Sequence, residues 1–412
     1  MPNSEGVAVK KTLLICDMYP FPEKYGSSMR TMNFVRFLKE YGTVDIGYSF
    51  KPAEGIPEND FFSHEFHLEN KELPAGYSQH FHNFMEGIPY PIREYRDDSQ
   101  ELLESLLLSE DYDYILVRYV INAIGLFKLN GRFESRIIMD FDDVLSGSLY
   151  ETRFSPTGNV FRKFLRRLNK KLLQNYEKRC LRFGVSLFCS EEDRKRIVPE
   201  VHRKDSFVVP NIYDNVLFEG YDFEDGFRNT DTLLFVGTLE YPPNVEGLKW
   251  FVASVYKDFR QRYPHTQLLV VGRSPTEEVR KLCEATNGIE LHVDAPDIKD
   301  YYKRCRAVVV PLLSGGGTRI KILEAALAAR PVLSTPVGAE GLDLVDEADV
   351  LLFENPDEFF AKYSKLSDRD YYSSLVTSAK RCVLEKYSKR TFENAMKQVL
   401  NHVDQEKAAV EK

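Results

Sequence analysis

Short apolar runs alternate with amphipathic stretches along most of the chain. Leu13-Leu14-Ile15-Cys16 has the pattern of a buried strand, and a loop with Pro20, Pro22 and Gly26 follows it. Met29, Met32, Val35 and Leu38 then fall on one face of a helix expected over 28–41, with Gly42 as its stop. Further strands are expected at 44–50, 114–117, 137–140, 185–189 and 207–209. A second series opens with Leu233-Leu234-Phe235-Val236-Gly237 and continues at 268–271, 289–293, 308–310, 332–334 and 350–353. Strands and helices alternating at this spacing make a parallel sheet covered on both faces. Between the two series, the acidic stretch with Asp214, Glu219, Asp222, Glu224 and Asp225 follows neither period and reads as a linker. The expected organisation is an N-terminal domain over 1–211, a linker over 212–229 and a C-terminal domain over 230–385. Both domains are doubly wound α/β, and ligands of such sheets bind beyond the carboxyl ends of the strands, at the topological switch point. Two such domains are expected to place a site in the cleft they share.

Composition narrows the class. A length of 412 residues exceeds the size at which one hydrophobic core stops growing, in keeping with two domains. Lysine and arginine number 55 against 63 acidic residues, a net charge of −8 that argues against nucleic acid as the main partner. Six scattered cysteines, none in a C-x-x-C pair, read as reduced buried thiols of a cytoplasmic protein. No apolar run is long enough to span a membrane, and the N-terminus lacks a secretory-signal pattern.

The candidate chemistry is densest at 314–324. An apolar strand runs into Ser314-Gly315-Gly316-Gly317-Thr318-Arg319-Ile320-Lys321-Ile322-Leu323-Glu324. Glycines between a strand and a helix let the backbone approach a ligand closely. The helix expected from about Thr318 presents unpaired N–H groups, and Arg319 and Lys321 add positive charge there, which suits a diphosphate. Glu324 suits a pair of sugar hydroxyls. The competing reading is an ordinary glycine loop with Glu324 paired to Lys321 or Arg319. The run is neither a Walker loop nor a G-x-G-x-x-G fingerprint.

The same run, continued by Ala325–Thr335 and Gly338-Ala339-Glu340-Gly341-Leu342, resembles the C-terminal domain of the family-four-like, or group 1, glycosyltransferases. Leu234–Leu239, Leu269–Arg273, Val208-Val209-Pro210-Asn211, Tyr387-Ser388 and Phe392 resemble further landmarks of that family. The resemblance implies the GT-B fold: two Rossmann-like domains facing across a cleft, with a C-terminal helix over 386–412 crossing back to the N-domain. It implies transfer of a sugar from a nucleotide-diphosphate sugar, with retention and without metal. By the same resemblance, Glu324 would hold the ribose hydroxyls, and Arg319 and Lys321 the departing diphosphate. Asp294 and Ala295 would meet the base, Arg273 would lie near the nucleotide, and Gly237 and Thr238 beneath the phosphates. One departure stands out: many members carry a glutamate eight residues before the one matched by Glu324, and that place is Gly316 here. A glycine-rich loop with Arg and Lys resembles a subset of the family seen in exopolysaccharide and cell-surface glycan assembly. A nucleotide-sugar epimerase of the same fold and a degenerate, non-catalytic binding scaffold are the rival readings.

The N-terminal half is less explicit. Gly26 and Ser27 match a family loop near donor phosphate and acceptor, and equally suit a helix cap. Asp142 and Asp143, at the end of Asp140-Phe141-Asp142-Asp143, are candidate acceptor-side carboxylates, with Asp143 the candidate base. The same aspartates, like Asp111-Tyr112-Asp113, also fit a metal-binding D-x-D. His64, His67, His80 and His82 lack partners at metal-ligand spacing. Residues 152–182 carry ten basic side chains against one acid, Glu177, with Phe161, Phe164, Leu165, Leu168, Leu172 and Leu173 interleaved at helical spacing. That pattern suits either a helix packed on the sheet with a solvated basic face or one lying on an anionic membrane. The expected partners are a nucleotide-sugar donor and a glycan or lipid-linked acceptor, without nucleic acid, and membrane-surface contact through 152–182 is the alternative to packing of that helix on the sheet.

Overall fold

The structure is a computed structural model that describes residues 9–410 apart from 22, 24, 25, 53, 54, 57, 73–86, 130, 132, 149–159, 214–217, 230, 231 and 318. The chain divides into two compact units, one from Met1–Ser146, Pro156–Val209 and Glu393–Lys412, the other from Gly147–Ser155 and Pro210–Phe392.

Unit 1 is built on seven strands: β1 (Lys10–Met18), β2 (Gly42–Phe50), β3 (Glu65–His67), β4 (Tyr114–Arg118), β5 (Ile137–Asp140), β6 (Val185–Phe188) and β7 (Ser206–Val208). Their order is β3-β2-β1-β4-β5-β6-β7, all parallel. Unit 2 has six: β8 (Thr232–Val236), β9 (Gln267–Gly272), β10 (Ile289–Val293), β11 (Ala307–Val310), β12 (Val332–Ser334) and β13 (Leu351–Leu352). Their order is β10-β9-β8-β11-β12-β13, again all parallel. In each sheet the chain reverses its direction of travel once, between β1 and β4 and between β8 and β11. A crevice opens at such a reversal because the helices leaving the two neighbouring strands go to opposite faces.

Apolar alternation along the strands explains the layering. Leu233 and Phe235 on β8 pack with Phe251, Val255 and Phe359, whereas Leu234 faces the other layer with Val308, Ile322, Leu323 and Tyr302. Burying each such side chain is worth roughly 1.5–3 kcal/mol, which is why the strand centres were legible as uninterrupted apolar runs.

Three details add to the expectations. Of the stretch 212–229, the described residues fall in unit 2, where Phe218 is buried against Tyr302 and the helix Phe223–Arg228 is capped by the Asp222 side chain. Its carbonyls at Asp222 and Phe227 accept from Arg330 and Arg306, so its acidity masks a packed segment. Strand β3 was not expected, because three residues at a sheet edge show no period. The helix expected from Thr318 begins at Ile320, with Arg319 at its cap, and Thr318 lies outside the described residues.

The helix Lys389–Val410 starts in unit 2, and from Glu393 it belongs to unit 1. Within unit 1, Asp404 accepts from Lys10 Nζ (3.1 Å) and Tyr114 Oη (3.0 Å), and Lys407 reaches Asp113 (3.3 Å).

Candidate functional site

The carboxyl ends of β8 and β11 carry the group that the sequence singled out. β11 leads through Pro311 into the glycine loop, where Gly315 (φ 109°) and Gly317 (φ 73°) occupy backbone conformations disfavoured for other residues. A Cβ on Gly315 would press on Pro243 Cγ at 3.2 Å. The loop is closed by Arg319, whose Nη1 donates to the carbonyls of Gly316 and Gly317. Its guanidinium is buried and turned back on the loop, so its positive charge stabilises the turn itself. The Oγ of buried Ser314 has no hydrogen-bond partner among the described residues.

Lys321, the second residue of the helix Ile320–Leu327, meets the β8 side of the crevice. Its Nζ donates to Asn244 Oδ1 at 3.0 Å and lies 5.3 Å from the ring centre of Phe235. Asn244 Nδ2 in turn donates to the Thr238 carbonyl at 2.9 Å. One amide thus links the turn after β8 to the cation after β11. A Cβ on Gly237 would sit 2.6 Å from Asn244 Nδ2, so glycine is what lets the amide reach across. Burial, reinforced by the charge of Arg319 and opposed by Glu324, pushes the Lys321 pKa down to about 7.

Glu324 stands three residues on, one helical turn from Lys321. Its Oε2 accepts from Tyr302 Oη at 2.6 Å, and Tyr213 supplies a further hydrogen bond. Burial raises its pKa, against the pull of both tyrosines and Lys321. Tyr302 Oη also contacts the Lys321 carbonyl at 3.3 Å, fixing the helix to the buried face of the helix Lys299–Arg304. Lys321 and Glu324 are both partly exposed, in contrast to the apolar residues between them.

The remaining donor-side candidates lie on neighbouring strand ends of the same unit. Arg273 follows β9, and its carbonyl accepts from Leu239 N at 2.8 Å. Asp294, after β10, has φ 51° and donates its N–H to the Gly272 carbonyl, with Ala295 next in chain. Ser274 is also at positive φ (50°). Non-glycine residues held in this region cluster at functional sites.

In unit 1 the candidates lie in or beside a buried network. Asp142 is buried and committed: it takes Arg118 Nη2 at 3.1 Å and Cys189 Sγ at 3.0 Å, with Arg30 Nε at 3.6 Å. Burial works to raise its pKa, but Arg118 and Arg30 hold it well below the carboxylate range. Its carboxylate is thus engaged in an ion-pair network within unit 1. Asp143 is partly exposed. Gly26 opens the helix Gly26–Lys39, and the Ser27 carbonyl takes Arg118 Nη2 (3.3 Å) and Thr31 Oγ1 (2.9 Å), so this loop is tied to the same buried network. Asp17 was missed. It is the next-to-last residue of β1, its carboxylate accepts from the Met18 N–H, burial raises its pKa, and it forms no ion pair among the described residues. Tyr119 (φ 61°) and Asp142 (φ 53°) mark the neighbouring strand ends as strained. A charged residue closing an apolar strand was the available signal.

Several of the candidate metal ligands make ion pairs or hydrogen bonds with other side chains and the backbone. Asp111 pairs with Arg136, Asp113 with Lys10 and Lys407, and His64 with Asp45, while His67 contacts the Ser49 carbonyl and Glu69. His80 and His82 lie outside the described residues. Asp205, His402 and Glu406 bring potential ligand atoms within 4.8 Å of one another, far along the chain from any of the candidates above.

Residues 230–369 match the family described as group 1 glycosyl transferases. An uncharacterized 44.6 kDa protein in the cps region of Klebsiella pneumoniae is 22% identical over 372 residues, covering 86% of this chain and 89% of that protein. Sucrose-phosphate synthase from Thermosynechococcus elongatus superposes with a TM-score of 0.70 at 16% identity, over 96% of this chain and 99% of that one. Anabaena Alr3699/HepE, solved with UDP and glucose, gives 0.64 at 13% identity over 95% and 99%. The matched segment contains both strand ends that hold Lys321, Asn244 and Glu324, so it is this segment that is similar to the group 1 glycosyl transferases, and the chain has the GT-B fold.

Proposed function

We propose that the chain transfers a hexosyl group, with retention and without a metal ion, from a nucleoside-diphosphate sugar to a glycan or lipid-linked acceptor of a cell-surface polysaccharide, working in the cytoplasm at the membrane. One observation carries the donor side of this reading. A cation and a carboxylate sit one turn apart on a single helix at a switch-point crevice, each held by neutral partners, Asn244 for Lys321 and tyrosines for Glu324. Neutral partners position the two groups without cancelling their charge. Lys321 and the helix terminus then stabilise the negative charge that grows on the departing diphosphate. Arg319 acts through the loop it closes and adds to the local positive potential. Glu324 accepts from ribose hydroxyls, Arg273, Asp294 and Ala295 border the nucleoside, and Gly237, Thr238, Gly315, Gly316, Gly317 and Thr318 supply backbone approach to the phosphates. The unpartnered hydroxyl of Ser314, a group whose burial alone costs about 1–3 kcal/mol, marks a place for a ligand or water to complete. On the acceptor side, Gly26 and Ser27 shape the loop and Asp143 is the accessible carboxylate.

HepE, described in complex with UDP and glucose, makes uridine nucleotides the first donors to test, and the cps-region relative supports a surface-polysaccharide role. The test is a panel of UDP-, GDP- and TDP-sugars, read by calorimetry and by nucleotide release in the presence of excess EDTA. Binding to one family of nucleotides, with EDTA-insensitive release and an axial product signal by proton NMR, is the expected result. A new sugar isomer without nucleotide release would mark an epimerase, and binding without turnover a scaffold.

A further inference from the structure

The helix Val160–Cys180 of unit 1 separates its two faces more sharply than its sequence does. Inward, Leu173, Tyr176 and Cys180 are buried, with the Tyr176 ring 5.4 Å from Phe127. Glu177, the only acid of the helix, also points inward: it is 1% exposed and its Oε1 accepts from the Ser146 N–H at 3.0 Å. Asn169 pins the helix to the backbone of Tyr90 through two bonds of 2.9 Å. The outward face is consequently free of negative charge.

That face carries Phe164, Arg167, Lys171 and Lys178, spaced three, four and seven residues apart and all exposed, with Phe164 at 59%. Arg166 is exposed beside them and Lys170 partly so. None of these five cations forms an ion pair among the described residues. The contrast lies a few residues on, in the helix Glu191–Ile197, where Arg194, Lys195 and Arg196 are each paired with Glu191, Glu192 or Asp193. In a chain of net charge −8, a stripe of unneutralised cations around an exposed aromatic ring is a concentrated exception.

We infer that this face docks on an anionic lipid bilayer. Lipid phosphates neutralise Arg167, Lys171 and Lys178, and Phe164 enters the interfacial layer, where an aromatic ring is favourably placed. The helix lies on the surface, since no helix among the described residues is long and apolar enough to cross a membrane. This inference rests on the reading that the acceptor is lipid-linked, and it supplies the surface that would bring the enzyme to it. Its test needs no turnover, so failure of docking and failure of the catalytic reading are separable.

The experiment is vesicle flotation of the full chain. Equimolar phosphatidylcholine and phosphatidylglycerol vesicles are compared with pure phosphatidylcholine. The protein is expected to float with the anionic vesicles alone and to be released near 1 M salt, where the screening length falls to about 3 Å. The triple variant R167E/K171E/K178E is expected to weaken that association about tenfold or more, and F164A about threefold, while both keep the wild-type circular dichroism and nucleotide affinity. Three results would each overturn the inference: absence of wild-type flotation, equal flotation on neutral vesicles, or an unaffected triple variant. Displacement from the vesicles by a single-stranded oligonucleotide at lower concentration than by anionic lipid would reassign the face to nucleic acid.

Discussion

Each unit gathers arginine or lysine and carboxylates at its own switch point, and the two gatherings end in opposite states. In unit 1, Arg30 and Arg118 are 2% and 0% exposed and are spent on Asp140, Asp142, Thr31 and the Val209 carbonyl. Buried charges satisfied by opposite charges hold a fold together and have nothing left for a ligand. In unit 2, Lys321 and Glu324 are held by an amide and two phenols, so the two groups are oriented without an opposite charge as direct partner. The lesson is that residue type and strand-end position identify a candidate, and the nature of the partner decides its role.

Breaking the unit 1 network is expected to have the largest effect. Arg118→Ala leaves Asp140 and Asp142 with Arg30 as their one remaining shared cation among the described residues and should destabilise the fold by about 3–5 kcal/mol, read from urea midpoints. Asp142→Asn should act in the same direction, on stability before turnover. A variant with normal stability would place Asp142 back among the acceptor-side groups.

In unit 2 the effect should fall on rate. Lys321→Ala and Arg319→Ala are each expected to lower turnover by roughly 10²-fold or more, about 2.7 kcal/mol of leaving-group stabilisation. Arg319→Ala should in addition lower the melting temperature, because its guanidinium closes the glycine loop. Near-normal rates in both would remove this site from the reaction.

The supporting groups should have smaller effects. Asn244→Ala releases Lys321 from Thr238, and Tyr302→Phe removes one donor from Glu324. About 1–1.5 kcal/mol, or roughly tenfold in nucleotide affinity, is expected from each. Glu324→Gln, which keeps the shape and loses the charge, should discriminate ribose from deoxyribose nucleotides less well than the parent.

The smallest and most diagnostic effect is on pH. With the Lys321 pKa pushed down to about 7, the free site is only partly charged at neutrality. A bound diphosphate favours the charged form, so binding takes up a proton, and affinity should fall by up to about tenfold per pH unit above 7. Calorimetry in buffers of different ionisation enthalpy measures that uptake. The sign for folding is the opposite of the usual lysine case. The unfolded chain holds the proton up to the ordinary lysine value of 10.5, so stability rises with pH between about 7 and that value. Lys321→Met should flatten both profiles.

Much of this organisation was legible beforehand because parallel strands buried on both faces leave long apolar runs. Ile137–Asp140, Ile289–Val293 and Val332–Ser334 appear as expected to the residue. β3 was not legible, since a three-residue edge strand has too few positions to show alternation. The packing of the described residues in the acidic segment 212–229 was hidden for a related reason: their contacts are made by carbonyls and by isolated residues such as Phe218, which leave no period. At the site, the glycine loop and its two cations were visible as a motif. Asn244, Tyr302 and Tyr213 were not, because they reach Lys321 and Glu324 from 77, 22 and 111 residues away. The burial of Asp142 was equally hidden, as its partners Arg30, Arg118 and Cys189 lie on three separate segments.

The helix Lys389–Val410 gives the chain an unusual order of assembly. Lys10, Asp113 and Tyr114 find Asp404 and Lys407 only after the whole of unit 2 has been synthesised. During translation the earliest part of the polypeptide therefore waits, with one flank uncovered, for the segment that finishes it. A stop codon near 390 should leave unit 2 able to fold while harming the unit made first, a reversal of the damage that C-terminal truncation ordinarily does.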